Sequence, residues 1–371
     1  MIAELILATM AVTTTDQTVN VTRGTKLDVN NFAGDVKVKA WDRDAVRVEV
    51  THSDREIVDI KPGDQTLSIR SRSARGGPPR SLDYTITVPS WMAISVNGTY
   101  ADVLLDGVGG DVAIDTNRGD INVKGGSGFV SLKSVQGEIS LEKAKGRIEV
   151  RAVNEGIRLA DISGDLSAES TNGSIILDRI DSANVDLYTV NGNISYDGPV
   201  KDRGLYRLTT HNGMIAMAIP ERVNAVLTVR TYNGSFRSTF PLKTDDQNQR
   251  KRFTVTLGNG SAHLELESFG GTIALRRPGE PRPETERRRR ERDHGDHLPA
   301  LADLDVQIDA SVEQALAGLD VDIDASVEEA LSGLGVDISN AVNEALAEAQ
   351  RAIPFAMPIP VPRPHPRPNP R

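Results

Sequence analysis

The sequence predicts an all-β chain. Its centre is a single-chain β-solenoid with about two strands per ~18-residue coil. An irregular β segment precedes the solenoid, and a short helical and disordered extension follows it. Three observations predict this. Glycine recurs about every nine residues from Gly110 onward, a polar–apolar alternation follows most of these glycines, and turn chemistry alternates with twice that period.

The beat runs through Gly110, Gly119, Gly128, Gly137, Gly146, Gly156, Gly164, Gly173 and Gly192, with Ala183 filling the one gap. The segments that follow read GDVAI, GDINV, GFVSL, GEISL, GRIEV, GDLSA and GSIIL. Strict alternation over four or five residues marks a half-buried strand, because successive side chains point to opposite faces. The inward set is Val112, Ile114, Ile121, Val123, Val130, Leu132, Ile139, Leu141, Ile148, Val150, Ile175 and Leu177.

One series of turns carries an amide beside its glycine: Asn117, Gln136, Asn154, Asn172, Asn191, Asn212 and Asn233. The other carries Ser127, Lys145, Ser163 or Ser182. A coil therefore holds two strands and two different turns, and stacking coils pairs strand edges that would otherwise stay open. Stacked amides then hydrogen-bond along one corner. The structural turn ladder expected from this pattern is Asn172, Gly173, Asn191, Gly192, Asn212, Gly213, Asn233 and Gly234. Past Gly192 the glycine spacing grows to about 21 residues, so the coils there widen or carry loops. Asn-Gly is also the strongest hairpin signal, which keeps an antiparallel meander as the alternative.

Composition agrees with a stacked aliphatic core. Of 371 residues, 38% are apolar but only 4% aromatic, and 32 are glycine. The net charge of −9 argues against nucleic acid as a partner, since phosphates call for a basic surface. The absence of cysteine removes disulfides, zinc–thiolate sites and thiol nucleophiles.

Residues 1–15 read as a leader: Ile2 to Val12 is a short apolar run, although Glu4 interrupts it and no Lys or Arg precedes it. The alternative is a first β-strand. No later stretch is apolar enough to span a membrane as a helix. Residues 16–108 form an N-terminal β segment, with strand candidates Lys26–Asn30, Val36–Ala40, Val46–Thr51, Ile57–Ile60, Thr66–Arg70, Leu82–Val88 and Ala93–Val96. Their turns suit antiparallel pairing and a cap on the solenoid, which spans 109–276. Residues 277–300 are a charged linker containing Arg287–Arg290. Residues 301–353 hold amphipathic helical repeats of about 15 residues, with Val312, Ala315, Leu316 and Leu319 on one stripe and Val327, Ala330, Leu331 and Leu334 on the next. These helices would dock in cis or on a partner. Residues 354–371 are a proline-rich basic tail.

With these residues in view, the chain resembles a bacterial family of adhesin-like proteins with β-strand repeats, a domain of unknown function. Thr25 to Ser53 looks like the family's opening, the units NGSIIL, NGNISY and NGMIAM like its middle, and Arg252 to Arg276 like its close. The resemblance implies a β-helical, exported, non-catalytic protein. It supplies no ligand and no functional residues.

Catalytic and metal signatures are missing from the sequence. Asp320, Asp322 and Asp324 open a D-x-D-x-D run, but Ala325 and Leu331 stand where a calcium loop needs Gly and Glu. The histidines His52, His211, His263, His294, His297 and His365 show no H-x-x-x-H pair. Outward residues such as Asp120, Asn122, Glu138, Ser140, Arg147, Glu149, Arg158 and Ser167 mix both signs rather than converging as paired acids. The expectation is a non-catalytic exported module without cofactor or metal. Its partner would be an envelope component or a surface ligand, protein or glycan. A filament-forming envelope scaffold is the alternative, and a polysaccharide-processing enzyme is a third class.

Overall fold

In the computed structural model, residues 12–77, 79–220, 222–242 and 251–281 are described below. The chain divides into two units, 1–283 and 284–371, and all described residues lie in the first. The predicted amphipathic repeats and proline-rich tail lie outside the described residues, as do most of the linker and residues 1–11.

The described chain is an all-β solenoid of two 13-stranded sheets. In spatial order, sheet I is β1 (Val12–Asn20), β4 (Ala45–Ser53), β7 (Asp83–Pro89), β3 (Val36–Trp41), β9 (Val103–Val108), β11 (Ile121–Gly125), β13 (Ile139–Glu142), β15 (Ile157–Ala160), β17 (Ile175–Asp178), β19 (Ile194–Asp197), β21 (Ile215–Ala218), β26 (Ile273–Arg276) and β23 (Phe236–Ser238). Sheet II is β24 (Arg252–Leu257), β22 (Ala225–Thr231), β25 (Ala262–Ser268), β20 (Leu205–Thr210), β18 (Asn184–Thr189), β16 (Ser163–Ser170), β14 (Lys145–Ala152), β12 (Ser127–Gln136), β10 (Val112–Arg118), β8 (Ala93–Tyr100), β2 (Lys26–Ala33), β6 (Thr66–Ser73) and β5 (Glu56–Pro62).

From β8 to β21 each coil contributes one strand to each sheet, and neighbouring coils pair in parallel. This is a solenoid, and the meander is excluded for these coils. Between β10 and β16 the registers advance by 18 residues, as with Val112↔Val130 and Ile148↔Leu166. Alternation places one residue in two inside. In sheet II, Ile94, Val112, Val130, Ile148, Leu166 and Val185 line up as one buried column. In sheet I, Ile121, Ile139, Ile157, Ile175, Ile194 and Ile215 form another. Each such side chain contributes roughly 1.5–3 kcal/mol on burial. Every member of the predicted inward set is buried.

The coil after Gly192 is wider, as the spacing predicts. Residues 198–204 bulge between β19 and β20, and two tyrosines fill the extra room. Tyr206 donates its hydroxyl hydrogen to the Ser182 carbonyl at 2.7 Å and accepts the Lys201 N–H at 2.8 Å. Tyr196 meets it edge to face, with ring centroids 5.8 Å apart.

The two ends depart from the sequence reading. The N-terminal strands were expected to pair antiparallel. Instead β2 pairs in parallel with both β6 and β8, and β3 pairs in parallel with β7 and β9. Only β1, β4 and β5 run antiparallel to their neighbours. The reason is topological: β2–β3 is itself a coil, inserted between β6–β7 and β8–β9. The C-terminal end repeats the device, with β25–β26 slotted between β20–β21 and β22–β23. β24 then closes sheet II antiparallel to β22. Residues Val12 to Thr15, assigned to the leader by the sequence reading, pair with β4 as the start of β1.

Candidate functional site

Two features stand out on the surface: a corner built from repeated turns, and a groove on the outer face of sheet II.

The corner joins each sheet II strand to the following sheet I strand. Asn212 Nδ2 donates to Asn191 Oδ1 at 2.8 Å, Asn191 Nδ2 to Asn172 Oδ1 at 3.0 Å, and Asn172 Nδ2 to Asn154 Oδ1 at 3.1 Å. The expected amide ladder is therefore present at Asn172, Asn191 and Asn212. It stops there, because the inserted coil places Gly270 beside Asn212. Asn233 comes one coil later, its N–H on the Phe269 carbonyl at 2.8 Å. At the other end, Arg118 rather than Asn117 occupies the column: it bonds Gln136 Oε1 at 2.7 Å and covers the Tyr100 ring at 5.3 Å.

The glycines beside these amides are required by space. A Cβ on Gly192 would overlap the Gly173 carbonyl oxygen, and one on Gly213 would overlap that of Gly192. Gly271 sits on Gly213, and Gly234 on Gly271.

A second ladder lies just inside and went unread in the sequence. Thr189 donates its hydroxyl to the Gly173 carbonyl at 2.9 Å, Thr210 to Gly192 at 2.8 Å, and Ser268 to Gly213 at 2.9 Å. All three residues are buried. The signal was available as the recurring pattern of Ser or Thr, any residue, Asn or Gln, then Gly: STNG, TVNG, THNG and TYNG. The opposite corner carries left-handed residues at register-equivalent places: Lys143, Asp161 and Arg179, with φ of 57°, 55° and 52°. Arg179 grips Asp161 through two bonds of 2.7 and 2.8 Å, and this pair holds the Asp161 carboxyl below its ordinary range.

The groove has a volume of about 660 Å³ and crosses β14, β16, β18, β20 and β25. Its long direction therefore follows the stacking axis. Arg147 pairs with Glu149 at 2.7 Å, Arg207 with Glu265 at 3.3 Å, and Arg230 also reaches Glu265 at 2.8 Å. Asn184 donates to Asp165 at 2.7 Å. Leu205 projects from the floor with 55% of its surface exposed, and His263 is its neighbour in register. Of the outward residues picked from the sequence, Arg147, Glu149 and Ser167 line the groove. Glu138 and Arg158 pair with each other at 3.3 Å away from it.

At its C-terminal coils the corner carries an aromatic stack. The His211 and Phe269 rings lie 4.6 Å apart and 6° from parallel, Tyr232 follows at 5.3 Å, and Arg252 covers Tyr232 at 5.6 Å. Among the described residues, no group of three or more His, Asp or Glu side chains is placed to hold a metal ion. Among them also, no helix is long and apolar enough to cross a membrane.

Comparison with solved structures finds similar chains. A candidate cell adhesion protein from Clostridium sporogenes covers 72% of this chain and all of its own, at 10% identity and a TM-score of 0.20. A candidate adhesin from Bacteroides fragilis covers 71% of this chain and 97% of its own, at 13% identity and a TM-score of 0.27. One from Parabacteroides merdae covers 71% and 95%, at 11% identity and a TM-score of 0.23. Scores this low say nothing about this chain's partners. Comparison with curated proteins returned no match. The family match is of another kind, since it runs through residues 25–276, from the inserted N-terminal coil to the end of β26. The chain belongs to the family described as Toastrack DUF4097.

Proposed function

We propose that this chain is an exported, non-catalytic β-solenoid that serves as an adhesin-like or cell-envelope binding module, with the sheet II groove as its binding surface. The groove carries the reading. It is the broad concavity on a face whose backbone is fixed by parallel pairing on both sides, so a bound partner meets side chains that are already placed. Glu149, Asp165 and Glu265 are engaged by arginine or asparagine. That suits a surface that holds a ligand better than one that moves protons. Antiparallel strands at both ends, β5 and β24, interrupt the parallel stack. This favours discrete particles over the filament-forming scaffold.

The test is localisation. Epitope-tagged protein should be cleaved by protease added to intact cells or to cells with a permeabilised outer layer. Protection in both, with cleavage only after full lysis, would overturn export. Electron microscopy of the purified chain should show separate particles, and regular filaments would favour the scaffold.

A further inference from the structure

We propose that the sheet II groove takes a neutral, extended glycan chain lying along the stacking axis, about one sugar to a coil. This deepens the binding-module reading and rests on it.

Length and direction come first. Five strands abreast span roughly 19 Å at the ordinary strand spacing, and equivalent positions recur once per coil. A linear polymer whose repeat is close to that spacing would present each unit to a similar setting. Charge comes second. Three arginines (Arg147, Arg151 and Arg207) face four carboxylates (Glu149, Asp165, Asp186 and Glu265). Each arginine already holds an acid, at 2.7 Å for Arg147–Glu149, 3.1 Å for Arg151–Glu169 and 3.3 Å for Arg207–Glu265. An acidic polymer would have to break these pairs to reach the arginines and leave the displaced carboxylates unmatched. Hydroxyl groups both donate and accept, so a neutral glycan adds hydrogen bonds around them.

Apolar contact comes third. Leu205 stands in the floor with more than half of its surface exposed. It offers surface to the C–H face of a sugar ring. An extended peptide fits less well: its backbone groups need a sheet edge, and every groove strand is paired on both sides.

The experiment screens the full-length chain against linear β-1,3- and β-1,4-glucans, β-1,4-mannans and chitooligosaccharides, with polygalacturonate as the acidic contrast. Calorimetry follows on a length series. Binding to at least one neutral chain is expected, with affinity rising to about five sugars and then levelling, as the groove fills. Leu205→Asp should weaken it about tenfold. Leu104→Asp on the outer face of sheet I, where Leu104 is also exposed, should leave it unchanged. A blank array, a preference for polygalacturonate, or equal weakening by Leu104→Asp would overturn the glycan assignment. A blank array from a chain shown to be exported overturns the ligand class alone, whereas a chain found only in the cytosol overturns the module reading itself.

Discussion

The middle coils and the terminal coils use the same strands differently. In the middle, β8 to β21, order in sequence is order in space, and each coil rests on the one before it. At the ends it is not: β2–β3 lies between two coils that both come later in sequence, and β25–β26 between two that both come earlier. The middle is held by repetition of one corner motif. The ends are held by insertion and by antiparallel strands. A regular beat in sequence therefore reports stacking order only where nothing is inserted.

Four experiments would break or sharpen that contrast. The largest effect is expected at the corner glycines. Gly192→Ala drives a methyl into the Gly173 carbonyl and should cost about 3 kcal/mol in urea unfolding. Gly24→Ala, at a terminal turn with φ of 96° and open space around it, should cost only about 1–2 kcal/mol. Equal costs would mean that corner packing does not distinguish the middle coils.

Alkaline unfolding comes next. Burial pushes the Tyr84, Tyr196 and Tyr206 phenols up, most strongly for Tyr196. In the unfolded chain they titrate near about 10. Their contribution is whole below that pH and falls as pH rises above it. Tyr196→Phe should flatten the fall of stability above about pH 10. An unchanged slope in a pH series of denaturant melts would refute the burial account.

The hydroxyl ladder should show a smaller effect. Thr210→Val removes the donor to the Gly192 carbonyl and should cost about 1–2 kcal/mol by the same measurement. Smallest is the amide ladder: Asn191→Ala should cost about 1 kcal/mol or less, and Asn233→Ala, outside the ladder, about nothing. A loss at Asn233 matching that at Asn191 would show the ladder to be incidental.

The solenoid, its inward columns and three of the four Asn-Gly steps were legible because each is a local pattern repeated at a fixed interval. Asn233 was misplaced in the column for a physical reason. Sequence spacing between Gly213 and Gly234 looks like one wide coil, yet the segment that fills the gap, Gly270-Gly271, arrives about 37 residues later in the chain. Nothing local announces an insertion that distant. The parallel pairing of β2 and β3 was hidden likewise, since turn residues between two strands do not say which third strand will come between them. The groove was only half visible. Arg147 and Glu149 stood out as charged outward residues, but Leu205, Asn184 and His263 gain meaning only once five strands lie side by side.

The inserted C-terminal coil also bears on how such a chain would take a pull. Tension applied beyond residue 276 reaches β26 first, and β26 is bonded along both flanks, to β21 and to β23. A rim strand can be unzipped one hydrogen bond after another. A strand clasped between two others must slide past both, so its bonds bear the load together. A molecule that tethers one surface to another would gain grip from having its keystone, not its rim, next to the rope.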